Sequence, residues 1–427
     1  MNATILPARR VTTRVAAFGV LERIGRAAVG RALQGLAFGR VEVIDASGRM
    51  VGGGGHGPGA SVHVSDARVY AEVALHGSVG AAQAYMEGWW RCDDLAALVE
   101  VLAVNLSSMR RLDRALAWVM APARRLDYLF RSNTRSGSKR NIVAHYDLGN
   151  EFFGLFLDST MMYSCAIFDD PSWSLERAQI EKLDRVCRKL QLKPGDEVLE
   201  IGTGWGSMAI HAARKYGCRV TTTTISDRQF DYATSRVKEQ GLTDRVTVVK
   251  RDYRDLSGQY DKVISIEMVE AVGARFLDGY FRTCSGLLKP DGMMLLQSIT
   301  VRDQLYRGAA RRQDFLKKYI FPGSCLPSAE RLSTSIRRAT DMNVVHLEDI
   351  GPHYATTLRL WREAFNAKLD EVRVQGFSET FIRMWEYYLC YCEGTFRARQ
   401  VGDVQMLMGK PMCRREPYLE RAAGGAP

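Results

Sequence analysis

The stretch VLEIGTGWGSMAI, residues 198–210, reads as a buried strand that enters a glycine turn and then a helix. Gly202, Gly204 and Gly206 let the backbone approach a ligand closely and adopt torsions that other residues resist. In an open α/β sheet the ligand lies beyond the carboxyl ends of the strands, near the first strand–helix turn. Glu200, inside that first strand, can accept from an amino group or a water beside the turn. Asp252 and Tyr253, at the end of a third strand, offer an acceptor and an aromatic face, the ring serving alternatively as ordinary core. A dinucleotide fold would close its second strand on an acid for the ribose hydroxyls. Here that strand ends Thr224, Ile225, Ser226.

A strand with an internal acid followed by GTGWG resembles the class I S-adenosylmethionine-dependent methyltransferases. Their donor already carries a sulfonium, so the protein has only to position the methyl and stabilise developing charge. Further motifs occur in order: HYDLGNEFF (145–153), MMYSCAIF (161–168), DYRDL (252–256), KYIFPGSCLPS (318–328), HYATTLRLW (353–361) and FRAR (396–399). Together they resemble the cyclopropane-fatty-acyl-phospholipid synthase family, with its mycolic-acid cyclopropane synthases and related fatty-acid methyltransferases, over roughly residues 141–400. AAQAYMEGWWRCDD (81–94) is similar to the end of that family's N-terminal domain.

The resemblance implies transfer of a methyl from S-adenosylmethionine to a cis double bond of an acyl chain in a membrane phospholipid. Attack by an alkene leaves a carbocation, which needs a dry tunnel with π faces and then a base. Candidates for the tunnel are Phe168, Tyr280, Phe281, Tyr319, Phe321, Trp361, Phe365, Trp385, Tyr387 and Tyr388, most of which serve equally well as ordinary core. The base that the resemblance implies is a bound bicarbonate. Carried over by motif, its grips are the Cys165 backbone, Glu270, Gln297, the Ile299 backbone and Tyr354, with Cys392 as a pocket cysteine. Tyr163, Ser164, Thr224 and Gln229 are expected to line the cofactor beside Glu200, the three glycines, Trp205, Ile225, Asp252 and Tyr253. His145 is expected to have a structural or lid role.

The chain departs from the family pattern where FEHVG reads VEAVG (269–273), with Ala271 in place of a His, and where the strand-five His is Gln297. A neutral amide still donates to an anion but cannot become a cation. The same combination resembles a branch of fatty-acid methyltransferases, some giving methyl- or methylene-branched chains. Ring closure is the first reading and branching the alternative. An RNA or DNA methyltransferase would carry an Asp/Asn-Pro-Pro-aromatic motif after the fourth strand. EMVEAVG has none, and no RNA-binding module is visible. A non-catalytic lipid-binding protein is the other rival, and the retained Cys165, Glu270, Ile299 and Tyr354 speak against it.

These residues need a scaffold. Short apolar runs at 196–202, 219–226, 246–252, 262–268 and 292–300 alternate with helical tracts such as 227–240 and 274–288, which predicts a parallel sheet covered on both faces. The expected fold is α/β, a Rossmann-like class I methyltransferase with a seven-stranded, mostly parallel sheet and a smaller N-terminal α+β domain. KPDG (289–292) reads as a turn, 301–340 as an insertion and 355–395 as two aromatic-rich helices. The expected divisions are a lipid- or membrane-associating domain at 1–118, a basic linker at 119–140, the catalytic domain at 141–410 and a tail at 411–427. The glycine run at 52–59 lacks the Lys-Ser/Thr of a phosphate loop and reads as a hairpin loop.

A net charge of +11 points to an anionic partner. Basic residues concentrate at 9–40 and 110–140, the first interleaved with Val15, Phe18, Leu21, Val29, Leu33 and Leu36 on one helical arc. Such a helix suits an acidic membrane surface or packs on its own domain. The nine cysteines contain no CxxC pair, so neither a disulfide framework nor a metal site is expected. The expected setting is cytoplasmic, peripheral to the inner face of the membrane, with no nucleic-acid partner; a homodimer is implied by the resemblance.

Overall fold

The computed structural model describes residues 19–106 and 148–416. The linker at 119–140, the basic cluster at 110–140, His145, Val15, Phe18 and residues 417–427 of the tail lie outside these.

In the N-terminal part, RVEVID alternates its burial with the period of a strand and buries Val41 and Val43. The elements are α1 (Val20–Gln34), β1 (Arg40–Asp45), β2 (Gly48–Gly53), β3 (Gly59–Val64), α2 (Arg68–Met86), β4 (Trp90–Cys92) and α3 (Leu95–Val104). The sheet order is β2-β1-β3-β4, with β1 antiparallel to β2 and parallel to β3. The glycine run is therefore not a hairpin loop: it carries the chain from one side of β1 to the other. It crosses closely over the segment before β1, where a Cβ on Gly53 would lie 2.1 Å from the Gly39 carbonyl oxygen. α1 packs on its own domain. A Cβ on Gly25 would lie 2.0 Å from the Tyr70 carbonyl oxygen of α2, and Leu33 is in the core, while Leu21 of the expected stripe is exposed.

The second sheet is built from β5 (Glu197–Ile201), β6 (Arg219–Thr224), β7 (Val246–Lys250), β8 (Tyr260–Ile266), β9 (Leu288–Val301), β10 (Asn343–Asp349) and β11 (Val401–Gly409). Its order is β10-β11-β9-β8-β5-β6-β7, and only β11 runs against its neighbours. Four of the five residues of β5 are buried, as befits a strand covered on both faces. The covering helices are α4 (Leu175–Lys189), α5 (Ser207–Tyr216), α6 (Asp227–Glu239), α7 (Leu277–Gly286), α8 (Asp303–Arg311), α9 (Ala329–Ala339), α10 (Gly351–Ala367) and α11 (Glu379–Arg397).

KPDG does not precede a strand. It sits inside β9 as an irregularity, where the pairing jumps from Tyr260–Leu288 to Lys262–Met293. Nor is 301–340 wholly an insertion: α9 buries Leu332 and Ile336 in the sheet's own core and leads into β10. The two aromatic helices are α10 and α11. α11 packs against α3 closely enough that a Cβ on Gly394 would lie 2.6 Å from the Ala96 carbonyl oxygen. Arg397 reaches Glu100 at 3.8 Å, and Tyr85 of α2 donates to Glu386 at 2.8 Å. Between the two sheets lies a cavity of about 1770 Å³. Among the described residues no helix is long and apolar enough to cross a membrane.

Candidate active site

Gly202, Gly204 and Gly206 have φ of 103°, 52° and 88°, a region where a Cβ is strained. Gly206 is the left-handed N-cap of α5 and lies behind the cavity wall, whereas Gly202, Gly204 and Trp205 line it. Arg236 of α6 braces the turn, donating to the carbonyls of Thr160 and Trp205 at 3.2 and 3.0 Å. Trp205 donates through Nε1 to Asn150 Oδ1 at 2.8 Å.

Glu200, Thr224, Ile225, Gln229, Asp252 and Tyr253 line the same cavity as the glycine turn. Glu200 accepts from the Thr222 hydroxyl at 2.6 Å, and burial pushes its carboxyl up to about 8. Thr224 Oγ1 donates to Gln229 Oε1 at 2.9 Å. Asp252 is gripped by Arg254 at 2.8 and 2.6 Å, which holds its carboxyl below the usual range. The Tyr253 ring is set edge-on to Tyr280, with centroids 5.4 Å apart.

The chemistry-bearing end begins where β8 stops. Glu267 has a φ of 47°, a left-handed conformation that costs a side-chain-bearing residue about 1–3 kcal/mol. Its N–H donates to the Gln297 carbonyl at 2.9 Å. Its side chain enters a ring of donors: Oε1 accepts from the Cys165 N–H and from Gln297 Nε2, each at 2.8 Å, and Oε2 accepts from the Tyr354 hydroxyl at 2.6 Å. Glu270, one turn on, accepts from Ser298 Oγ at 2.9 Å and from the Ile299 N–H at 2.6 Å. Its Oε2 is buried without a partner among the described residues. Burial, aided by the charge of Glu267, pushes the Glu270 carboxyl up to about 8, which favours its protonated form at neutral pH.

Three further groups complete this cluster. Asp403 of β11 accepts from Gln297 Nε2 at 3.0 Å, and burial and Glu267 raise its carboxyl well above the usual range. Lys182, fully buried on α4, donates to Ser164 Oγ at 2.6 Å, and desolvation lowers its ammonium to about 8. Tyr163 and Tyr388 share a hydroxyl–hydroxyl hydrogen bond of 2.6 Å at the cavity wall. The loop bearing Tyr163, Ser164 and Cys165 is pinned to α10, since the Ala166 N–H donates to Thr357 at 3.2 Å and the Phe168 N–H to His353 Nδ1 at 3.3 Å.

Cys165, Gln297, Ile299, Tyr354 and Glu270 are thus brought together as the sequence predicts, but not around an open anion site. The Cys165 N–H, Gln297 and Tyr354 all donate to Glu267, and the Ile299 N–H donates to Glu270. Bicarbonate does not fit this arrangement. The donors expected to grip it already hold a carboxylate, and a second anion there would lie against the charge of Glu267 with only the Glu270 carboxyl left to donate. Cys392 lies in the cavity wall on α11. Of the aromatic candidates, Phe321, Tyr387 and Tyr388 line the cavity, while Tyr280, Phe281, Trp361, Phe365 and Trp385 are packed in the cores.

Sequence reasoning missed Glu267, Asp403 and Lys182. For Glu267 a signal existed in EMVEAVG: a second acid three residues before Glu270, facing a strand that offers a neutral Gln.

Residues 133–406 match the family described as mycolic acid cyclopropane synthetase. The chain is 38% identical over 348 residues to "Tuberculostearic acid methyltransferase UfaA1" of Mycobacterium tuberculosis, covering 80% of this chain and 81% of that protein. It is also 38% identical over 354 residues to the cyclopropane-fatty-acyl-phospholipid synthase of Escherichia coli K12, covering 82% and 88%. Among solved structures, the mycolic acid cyclopropane synthase CmaA1 complexed with SAH and CTAB superposes with a TM-score of 0.59 at 31% identity, covering 64% of this chain and 98% of that one. The chain therefore belongs to the mycolic acid cyclopropane synthetase family and is an S-adenosylmethionine-dependent methyltransferase.

Proposed function

We propose that the protein methylates the cis double bond of unsaturated acyl chains in membrane phospholipids and closes the product to a cyclopropane. One observation carries this reading. The cavity that begins at the glycine turn passes Glu267, Glu270 and Tyr354 and continues between the two sheets, where Leu33, Val43, Val62, Leu98 and Leu102 line it. At about 1770 Å³ it exceeds the roughly 300–1,000 Å³ usual for small-molecule pockets. An acyl chain suits walls of this kind, each buried methylene contributing about 0.8 kcal/mol.

S-adenosylmethionine, when bound at the glycine turn, supplies a methyl on a sulfonium within reach of the alkene. The chain's own residues then have three tasks. Gly202, Gly204, Trp205, Glu200, Gln229, Asp252 and Tyr253 hold the donor, with Tyr163, Ser164, Thr224 and Ile225 beside it. The apolar walls keep water from the cationic carbon, and the faces of Tyr388, Phe153 and Phe396 in those walls favour positive charge. The carboxylate cluster, on the wall of the same cavity, supplies acceptors for the proton that must be removed.

A second reading, methyl- or methylene-branched product, is favoured by the 38% identity to the tuberculostearic acid methyltransferase. Purified protein given labelled S-adenosylmethionine and monounsaturated phospholipid vesicles should place label in the lipid, and mass spectrometry should resolve ring from branch. Label entering only added RNA would refute the lipid substrate. The charge of +11 favours an acidic membrane surface, so vesicle binding should weaken as salt rises. Salt-insensitive binding would refute that docking.

A further inference from the structure

We infer that Glu267 is the catalytic base: its carboxylate stands where a trapped anion would sit and takes the proton from the cationic acyl chain. The inference rests on the lipid-methylation reading above. Three donors from three elements converge on this side chain: the Cys165 N–H, Gln297 Nε2 of β9 and the Tyr354 hydroxyl of α10. All three can donate to a carboxylate, which only accepts. No lysine or arginine forms an ion pair with it among the described residues: Lys182, the buried cation that feels its charge, donates to Ser164 instead, and Glu267 lines the cavity.

The orientation of the Gln297 amide is fixed from behind. Lys189, which can only donate, gives a hydrogen to Gln405 Oε1 at 2.8 Å. Gln405 Nε2 then donates to Gln297 Oε1 at 3.1 Å, which leaves Gln297 Nε2 facing Glu267. A neutral amide here orients the carboxylate without neutralising it. Glu270 is less suited to the role: its Oε1 is taken up by Ser298 and the Ile299 N–H, and burial favours its protonated form.

In the step assigned to Glu267, a C–H bond of the newly transferred methyl breaks. Its proton passes to a Glu267 oxygen. Its electron pair closes the ring onto the cationic carbon or, after a hydride shift, forms the methylene double bond. Glu267 returns the proton to solvent once product leaves.

The position also supplies its own test. With φ at 47°, Glu267→Gly relieves backbone strain and leaves an anion-sized space ringed by the same donors. Wild-type protein should label monounsaturated phospholipid vesicles at the same rate in carbon-dioxide-free buffer as with added bicarbonate. Glu267→Gln should lose at least ~100-fold in turnover, the lower end for general-base catalysis, with S-adenosylhomocysteine affinity unchanged. Glu267→Gly should bind ¹³C-bicarbonate by NMR, where wild type does not, and should regain turnover with it. Wild-type turnover that collapses without bicarbonate, or a Glu267→Gln variant at full rate, overturns the base alone. Wild-type protein that labels no lipid under either condition overturns the lipid reading and the base with it.

Discussion

The Phe396 ring lies against the Tyr354 ring, with centroids 4.5 Å apart and planes tilted by 36°. Tyr354 therefore reaches Glu267 from a side chain held on two sides: by its own helix α10 and by Phe396 at the end of α11. Tyr354→Phe removes one of three donors to the Glu267 carboxylate and should lower kcat by roughly 10-fold or more, since a hydrogen bond to a charged group is worth about 1.5–3 kcal/mol. Phe396→Ala keeps the donor but frees the ring, so a smaller fall in kcat is expected. Cofactor affinity should not change in either variant, because neither residue faces the glycine turn. Isothermal titration with S-adenosylhomocysteine alongside steady-state rates checks the split. Unchanged kcat in Tyr354→Phe would show that the contact does not position the carboxylate.

Glu270 ties stability to pH. Its carboxyl is raised from 4.5 to about 8 by burial, with Glu267's charge adding to it. Between those values the folded state holds a proton that the unfolded chain has lost, so this group makes stability fall as pH rises. The slope approaches about 1.4 kcal/mol per pH unit for one proton. Glu270→Gln keeps an acceptor for Ser298 and Ile299 and removes the titration. Thermal unfolding from about pH 5 to pH 8 should therefore decline more steeply for wild type than for Glu270→Gln. Glu200, raised in the same way, contributes equally to both and cancels in the comparison. Parallel profiles would mean that Glu270 is ionised in the folded protein.

The parallel character of the central strands was legible because a parallel sheet buries both faces, and β5 and β8 carry apolar runs that say so, whereas their order in the sheet was not. The glycine turn was legible because its torsions exclude side chains. The members of the anion-like cluster were legible as residues but not as an arrangement. Whether Gln297 faces a free anion or a carboxylate depends on the φ of Glu267, and one backbone torsion leaves no mark in composition or periodicity. Lys182 and Asp403 were invisible for a related reason: a charged residue in an amphipathic helix or at a strand end is normally solvated, and only the packing of α4 and β11 buries these two. The route of the glycine run depended on β3 pairing with β1, a non-local contact that a loop sequence does not encode.

The acyl-chain reading predicts that the N-terminal sheet and its helices set chain length. Leu98 of α3 is buried and lines the cavity far along the sequence from every cofactor residue. Leu98→Trp should shorten the space and lower turnover with long monounsaturated chains more than with short ones, leaving cofactor affinity intact. Competition between vesicles of two chain lengths, read by mass spectrometry, measures the shift. An unchanged product ratio would place the acyl chain elsewhere.

The docking of α11 on α3 can be tested at one atom. In an exposed helix interior, Gly→Ala stabilises by about 1 kcal/mol, as expected for Gly308 of α8, where an added Cβ meets nothing within 4 Å. At Gly394 the same Cβ would lie 2.6 Å from the Ala96 carbonyl oxygen and 2.7 Å from Val99 Cβ. Backbone cannot yield as a flexible side chain does, so overpacking of about 1–3 kcal/mol should outweigh the helix gain. Gly394→Ala should lower Tm while Gly308→Ala raises it. Because Tyr388 and Cys392 of α11 and Leu98 and Leu102 of α3 all line the cavity, separating the helices should also raise KM for the phospholipid without changing cofactor affinity. A stabilised Gly394→Ala variant would mean that the two helices do not meet in this way.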